Sequence, residues 1–250
     1  MIQNLPITNQ LLGALPAKEY QLLSPKLELF DLIYTEVIHD PKQVIEYLYF
    51  PNSGFVSLTA MEEDRAVLEV GMIGKEGVFG LPVFLGDPRA FVRVIVQGSG
   101  SAMRIKAADL LDFCELGGAL PRLLKHYTYR LFNQMTQAMV CNNLHRTEER
   151  LARWLLMMRD RMENDKFPVT HNSISNMLGV RREAVSKSAS KLQRRQLISY
   201  QYGNLEIIDP AGLESIACPC YAVIKEVERE LSRFIISVSM TTLKERSRVS

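Results

Sequence analysis

No stretch of this 250-residue chain approaches the roughly 20 consecutive apolar residues needed to cross a bilayer. The first residues, MIQNLPITNQLLGALP, contain no basic region followed by an apolar core and a small-residue cleavage site, so they do not read as a secretory signal. Cysteine is scarce, at positions 114, 141, 218 and 220, and four in a chain of this size do not make a disulfide framework. None precedes Cys114, and between residues 27 and 106 the only histidine is His39. That excludes a cupin-like enzyme site there, which needs two or three convergent histidines and a carboxylate. Excess charge is missing too: 30 Lys and Arg stand against 28 Asp and Glu, a net +2. Together these absences predict a reduced, cytoplasmic protein that is not an enzyme and has no membrane partner.

What is present is the composition of a folded protein, 47% hydrophobic and 23% charged, over a length that suits one large domain or two ordinary ones. The near-neutral total hides one asymmetry. From Arg181 to Arg195 six basic residues (181, 182, 187, 191, 194 and 195) meet one acid, Glu183, a local balance of +5 that leaves −3 for the rest. Charge gathered in this way suits a polyanion, although a solvated helix face has the same look.

Three textures follow one another. From about Leu27 to Lys106, runs such as YLYF (47–50), GFVSLTAM (54–61), AVLEVGMI (66–73), VRVIVQG (92–98) and SAMRI (101–105) are separated by Asn, Gly, Asp or Pro. The spacing predicts an antiparallel sandwich or barrel, with MEEDRA as a hairpin tip and a short helical entry from Thr8 to Leu23. From about Ala107 the period becomes helical. Leu120 to Cys141 contains no Gly and no Pro beyond Pro121, so about six turns can be continuous. The apolar stripe of that helix needs a cover, either its own β domain or a second copy of the chain. The second reading makes Leu120, Leu124, Tyr127, Leu131, Met135 and Met139 a dimer seam. Asn142-Asn143 interrupts the pattern, and RTEERLARWLLMMRDRM resumes it with Leu151, Trp154, Leu155 and Met158 inward.

The third texture begins at Phe167. Thr170 is placed to cap a short helix and Gly179 to end it in the left-handed conformation. A second helix follows from about Arg182 to Arg194, with Val185, Ala189 and Leu192 at i, i+4 and i+7 facing inward. LISYQYGNLEIID then makes two short strands around a Gly203-Asn204 turn. Helix, tight turn, polar-faced helix and hairpin make a winged helix-turn-helix, whose second helix enters the major groove. Glu183 can accept from a cytosine amino group, Lys187 can donate to guanine, and Ser186 can bond a base or touch a thymine methyl. Arg181, Arg182, Ser190, Arg194, Arg195, Tyr200 and Tyr202 are placed for phosphates, which position without specifying. A winged helix can also contact protein, so a ligand-binding or scaffold protein is the rival from another class.

A β-roll, one long helix and a C-terminal winged helix-turn-helix, in that order, resemble the Crp/Fnr family of bacterial transcription regulators. The likeness rests on YFPNSGFVSL, EERLARWLLMMRDR and MLGVRREAVSKSASKLQRRQLI and spans about residues 10 to 215. The recognition helix reads R-E-A-V-S-K at Arg182 to Lys187, similar to the E-x-x-S-R of the Fnr-like branch with Lys187 in place of Arg. Arg181 stands where a Ser or Thr cap is usual in the family. The resemblance implies a homodimer on a palindrome with TTGA-like half-sites, double-stranded DNA as partner, and RNA polymerase too if the protein activates.

Family members differ in what the β-roll senses. Cyclic-nucleotide binders hold the phosphate with a G-E-x turn and an Arg-Ser pair, and here Gly80 is followed by Leu81 and Pro82, with Ala90-Phe91 where Arg-Ser is expected. Gly80, Leu81, Arg89 and Arg93 are what remains as an effector pocket, and a desolvated phosphate without a buried cation is unfavourable. An iron–sulfur cluster needs several thiolates, which the sequence before Cys114 lacks. Haem needs an axial ligand, for which His126 is a candidate by position only. The expectation is therefore no cyclic nucleotide, haem, iron–sulfur cluster or metal. One feature stays open: Cys218 and Cys220 flank Pro219 at the start of a final helix from Tyr221 to Phe234, either as small apolar residues or as a thiol or metal switch completed by Cys114, Cys141 or a second subunit.

The expected architecture is α+β, divided into a sensor domain (1–115), a dimerisation helix and hinge (116–145), a winged helix-turn-helix (146–215) and a helical extension (216–250). Signal-dependent movement about Asn142 to Arg146 would set the spacing of the recognition helices.

Overall fold

β-Branched and aromatic runs, broken by turn residues, give strands where the pattern places them. The structure, a computed structural model, describes residues 8–63 and 65–246. After helices α1 (Gln10–Gly13) and α2 (Ala17–Leu23) come β1 (Glu28–Leu32), β2 (Val37–His39), β3 (Tyr47–Pro51), β4 (Phe55–Glu62), β5 (Arg65–Ile73), β6 (Arg93–Gly98) and β7 (Gly100–Lys106). They form a three-stranded sheet, β1-β7-β3, and a four-stranded sheet, β2-β6-β4-β5. Pairing of β7 with both neighbours is antiparallel, with Leu29 opposite Met103 and Leu48 opposite Ile105.

Among the described residues, 8–56, 73–132 and 227–246 form one compact unit, and 57–63, 65–72 and 133–226 the other. The 57–72 hairpin therefore groups with the C-terminal module rather than with the rest of the expected sensor domain.

The first unit buries Leu11, Leu23, Leu48, Phe50, Phe55 and Phe79 together with Leu120, Leu123, Leu124 and Tyr127. Helix α3 (Ala107–Glu115) leads through Gly117-Gly118 to α4 (Ala119–Leu144). The first amides of α4 are satisfied from outside the helix: both carboxylate oxygens of Glu19 accept from the N–H of Ala119, at 3.0 and 2.9 Å. A carboxylate there also complements the positive end of the helix dipole. Tyr127 lies over Gly77, where a Cβ would fall 2.1 Å from the phenol oxygen, so only glycine fits.

The second unit is built on α5 (Thr147–Met162), α6 (His171–Leu178), α7 (Arg182–Arg194), α8 (Pro210–Ile216) and a sheet of β8 (Lys166–Pro168), β9 (Ile198–Gln201) and β10 (Asn204–Ile207), ordered β8-β10-β9. Trp154, Leu155, Phe167, Ile174, Val185, Leu192, Leu205 and Leu213 fill its centre. Helix α9 (Cys220–Arg246) closes the described chain. Asn142-Asn143, expected to interrupt the long helix, are helical, and the break falls at His145 and Arg146. Polar residues need not end a helix: the ladder runs on to His145, whose N–H still bonds the Cys141 carbonyl, and is lost at Arg146, whose N–H turns to Glu149.

Candidate nucleic-acid interface

The N-cap and C-cap expected for the first helix of the motif are both present. Thr170 Oγ1 accepts from the N–H of Ser173 at 3.1 Å, and Gly179 adopts φ 61°, ψ 40°. A side chain is disfavoured at that φ, so Gly179 turns the chain at no steric cost and aims α7. Val185, Ala189 and Leu192 are buried as the i, i+4, i+7 stripe requires. At 100° per residue, Glu183, Lys187, Ser190 and Arg194 fall within about 60° of one another on the opposite side. All four are exposed, and Glu183, Lys187 and Arg194 make no hydrogen bond or ion pair among the described residues. Arg181 and Arg182 stand exposed at the start of the helix, where Arg181 supplies no side-chain cap.

Three of the expected DNA contacts are committed elsewhere. Ser186 is half-buried, and its Oγ lies 3.0 Å from Nδ1 of His171. The wheel turns Ser186 off the apolar stripe but cannot show that α6 supplies a partner, so its hydroxyl is a link between α6 and α7 before it is a base reader. Tyr200 is also half-buried, with its ring stacked on His171 at 4.4 Å and its hydroxyl donating to the Val169 carbonyl at 3.0 Å. It braces the wing rather than reaching out. Arg195 shares Glu148 with Lys191, at 3.8 and 3.1 Å, so a phosphate there competes with an existing carboxylate.

Tyr202 stands exposed on the wing. The wing turn consists of Tyr202 and Gly203, both at positive φ (51° and 79°), between Gln201 and Asn204, a one-residue shift from the Gly203-Asn204 turn expected. Two positive φ values make a type I′ turn, which matches the twist of a hairpin and leaves the Tyr202 ring at its exposed tip. His171, which braces both α7 and the wing, was missed; a lone histidine in a polar tripeptide gives no sequence signal of that role. Burial, with the nearby charge of Arg182 second, holds its pKa below the usual 6.5.

Two buried networks hold the motif in place. Arg150 on α5 donates to the Leu178 carbonyl at the end of α6 and to Asn142 at the end of α4, satisfying a carbonyl that α6 leaves open. Glu69 on β5 accepts from Trp154 Nε1 at 3.1 Å and from the Ser57 hydroxyl. Burial pushes the Glu69 carboxyl up to about 7, against those two hydrogen bonds and the charges of Arg153 and Arg161.

The expected effector residues have other commitments. Leu81 is buried, and Gly80 (φ 96°) packs so that a Cβ would meet the Tyr47 carbonyl at 2.9 Å. Arg89 is exposed and paired with Asp87 at 3.2 Å, while Arg93 is paired with Asp40 at 2.6 Å. Either arginine would have to give up a carboxylate to hold a phosphate.

The long helix corrects the expected seam. Leu120, Leu124 and Tyr127 are buried within the protomer, so they cannot also face a partner, while Leu131 and Met135 are half-buried. Exposed apolar side chains lie instead on another face: Tyr129 (64% exposed), Phe132 (58%), Met139 (56%) and Val140 (38%). Tyr129, Phe132, Thr136 and Met139 repeat at three and four residues, the a/d spacing of a coiled-coil seam with one polar position. Met139 alone belongs to both sets.

Residues 149–216 match the family of Crp-like helix-turn-helix domains. The nitrogen fixation regulation protein FixK of Bradyrhizobium diazoefficiens is 28% identical over 107 residues, 39% of this chain and 45% of that protein, so the match spans under half of this relative. FixK2 of Bradyrhizobium japonicum has the same fold with a TM-score of 0.65 at 19% identity, over 77% of this chain and 98% of that one. The c-di-GMP-responsive global regulator CLP of Xanthomonas campestris gives 0.63 at 18% identity, over 77% and 99%. The α+β architecture of N-terminal antiparallel sheets, long helix and C-terminal helix-turn-helix is thus the one found in these regulators. Among the described residues no helix is long and apolar enough to cross a membrane.

Proposed function

We propose that this chain is a sequence-specific DNA-binding transcription regulator of Crp/Fnr type, a homodimer that reads a palindromic site through α7. The observation that carries the reading is the exposed stripe of Glu183, Lys187, Ser190 and Arg194 directly after a Gly179-capped turn, with Glu183, Lys187 and Arg194 making no hydrogen bond or ion pair among the described residues. A solvated helix face of mixed purpose would not need so tight a turn, nor a wing with a left-handed tyrosine at its tip. The likeness of residues 149–216 to Crp-like helix-turn-helix domains supports the same reading.

Glu183 and Lys187 are the base readers in this proposal, with Ser186 in reserve behind its bond to His171. Arg181, Arg182, Ser190, Arg194 and Tyr202 hold phosphates. Phe132 and Met139 centre the seam between subunits. The β-roll does not take cAMP, because Arg89 and Arg93 are already paired with carboxylates and Leu81 is buried. No catalytic chemistry is assigned, the compartment is the cytoplasm, and RNA polymerase is a further partner if the protein activates.

Two substitutions separate reading from positioning. Glu183→Ala should cost about 1–3 kcal/mol on the best site and relax one base position. Arg194→Ala should weaken all duplexes alike and lower the slope of log K against log salt by about 0.9. Fluorescence anisotropy over a panel of duplexes at several salt concentrations checks both. A change of base preference in Arg194→Ala, or none in Glu183→Ala, contradicts the assignment.

A further inference from the structure

Four side chains with metal-ligating atoms converge where α4 ends and α9 begins, apart from the DNA-reading stripe. Cys141 lies in the last turn of α4, and the N–H of His145 bonds the Cys141 carbonyl at 3.1 Å, so the helical turn continues and brings the two side chains to one face. Cys218 and Cys220 flank Pro219 at the start of α9. Sγ of Cys141 is 3.4 Å from Sγ of Cys218, and Sγ of Cys220 is 3.4 Å from Nδ1 of His145. All four ligand atoms lie within 4.8 Å of one another.

We infer that Cys141, His145, Cys218 and Cys220 form a closed, structural Zn²⁺ site that ties the end of α4 to the start of α9. A tetrahedral ion with Zn–S bonds of about 2.3 Å sets its ligands about 3.8 Å apart, so the observed spacing needs adjustments of a few tenths of an ångström to an ångström. Four protein ligands of Cys₃His type leave no open position, which marks the site as structural rather than catalytic.

The surroundings point the same way. The three cysteines are at most 2% exposed, so water does not compete for the sulfurs. Gln137 Nε2 donates to Cys220 Sγ at 3.0 Å, the kind of outer hydrogen bond that orients a ligand. Arg153 is buried, and its Nε has no hydrogen-bond partner among the described residues. A Zn²⁺ held by three thiolates and a neutral imidazole carries a net charge of −1, which that guanidinium offsets. Arg153 lies close enough for its charge to act on Cys141 and Cys218. Loading the ion releases the thiol protons to solvent. An iron–sulfur cluster spreads its protein ligands over several irons, and ligands packed this closely suit one ion better.

The test uses the full chain, purified without oxygen or chelator and freed of any affinity tag. Mass spectrometry of the elements should find one zinc per chain. After removal of the zinc, titration with Co²⁺ should produce a thiolate-to-cobalt band and the visible bands of a tetrahedral site. Cys220→Ser and His145→Gln should each weaken Co²⁺ binding at least about 100-fold, by analogy with the 10–100-fold lost even from outer-shell changes. Cys114→Ser, outside the cluster, should leave it unchanged. Folded wild-type protein with neither zinc nor a tetrahedral cobalt spectrum would overturn the inference. So would iron with acid-labile sulfide, or full Co²⁺ affinity in His145→Gln. None of these readouts involves DNA, so the site and the regulator reading stand or fall separately.

Discussion

Phe132→Asp is expected to convert the proposed dimer into a folded monomer and to lower affinity for a palindromic duplex at least about 100-fold. Phe132 is 58% exposed at the centre of the 129, 132, 136, 139 repeat, so a carboxylate there disturbs little within the protomer. In a seam it faces its own symmetry mate, where two desolvated charges repel. Two linked recognition helices bind a palindrome with an effective concentration that a monomer lacks, and such linkage is worth about 10²–10⁴ in avidity. Sedimentation velocity reads the first effect and duplex titration the second, while affinity for an isolated half-site stays constant. Leu124→Asp provides the contrast: Leu124 is fully buried within the protomer, so that variant should unfold rather than dissociate. A Phe132→Asp protein that remains dimeric would place the seam elsewhere.

The second large effect concerns pH. Glu69 is buried beneath Trp154 and Ser57, and its carboxyl titrates near 7 instead of the ordinary 4.5, chiefly because burial penalises the charged form. Its folded pKa lies above its unfolded one, so between these values the unfolded chain binds fewer protons than the native. Stability is therefore fully present below about pH 4.5 and is lost as pH rises through about 7. A shift of this size corresponds to about 3 kcal/mol at alkaline pH. Glu69→Gln keeps the shape and an acceptor for Ser57 or Trp154 but removes the titration. Denaturant unfolding of both proteins from pH 5 to pH 8 should show the wild type losing up to about 3 kcal/mol relative to Glu69→Gln. Every other titrating group is common to the two proteins and cancels in the difference. Parallel curves would mean that Arg153 and Arg161 keep Glu69 ionised throughout.

How much of this could be read in advance depended on the range of each interaction. Helix α7 was legible because its determinants are local: Gly179 needs φ > 0, and Val185, Ala189 and Leu192 bury one face of thirteen residues. The strands from Tyr47 to Lys106 were legible for the same reason, since apolar runs bounded by turn residues carry their own boundaries. Helix α4 was legible as a helix, but not in which of its faces meets what. Its apolar side chains form two stripes, and only tertiary packing shows that Leu120, Leu124 and Tyr127 belong to the protomer's own core. Ser186 and Tyr200 lie on the elements expected, but their contacts with His171, fifteen residues before Ser186, could not be read from the local pattern. The cysteine cluster lay furthest from view. Cys218 and Cys220 were conspicuous, and Cys141 was one of two thiols that could complete them, but His145 had no distinguishing context. Only folding brings together residues 77 apart in sequence.

The central claim is that α7 reads sequence as one of a symmetric pair. Selection of bound duplexes from a random pool, with the full chain at low salt, tests it most directly. The account predicts enrichment of two-fold symmetric sites whose half-sites are separated by about one helical turn, roughly 10 base pairs centre to centre. Recovery of no palindrome, with binding that depends on salt but not on sequence, would contradict it.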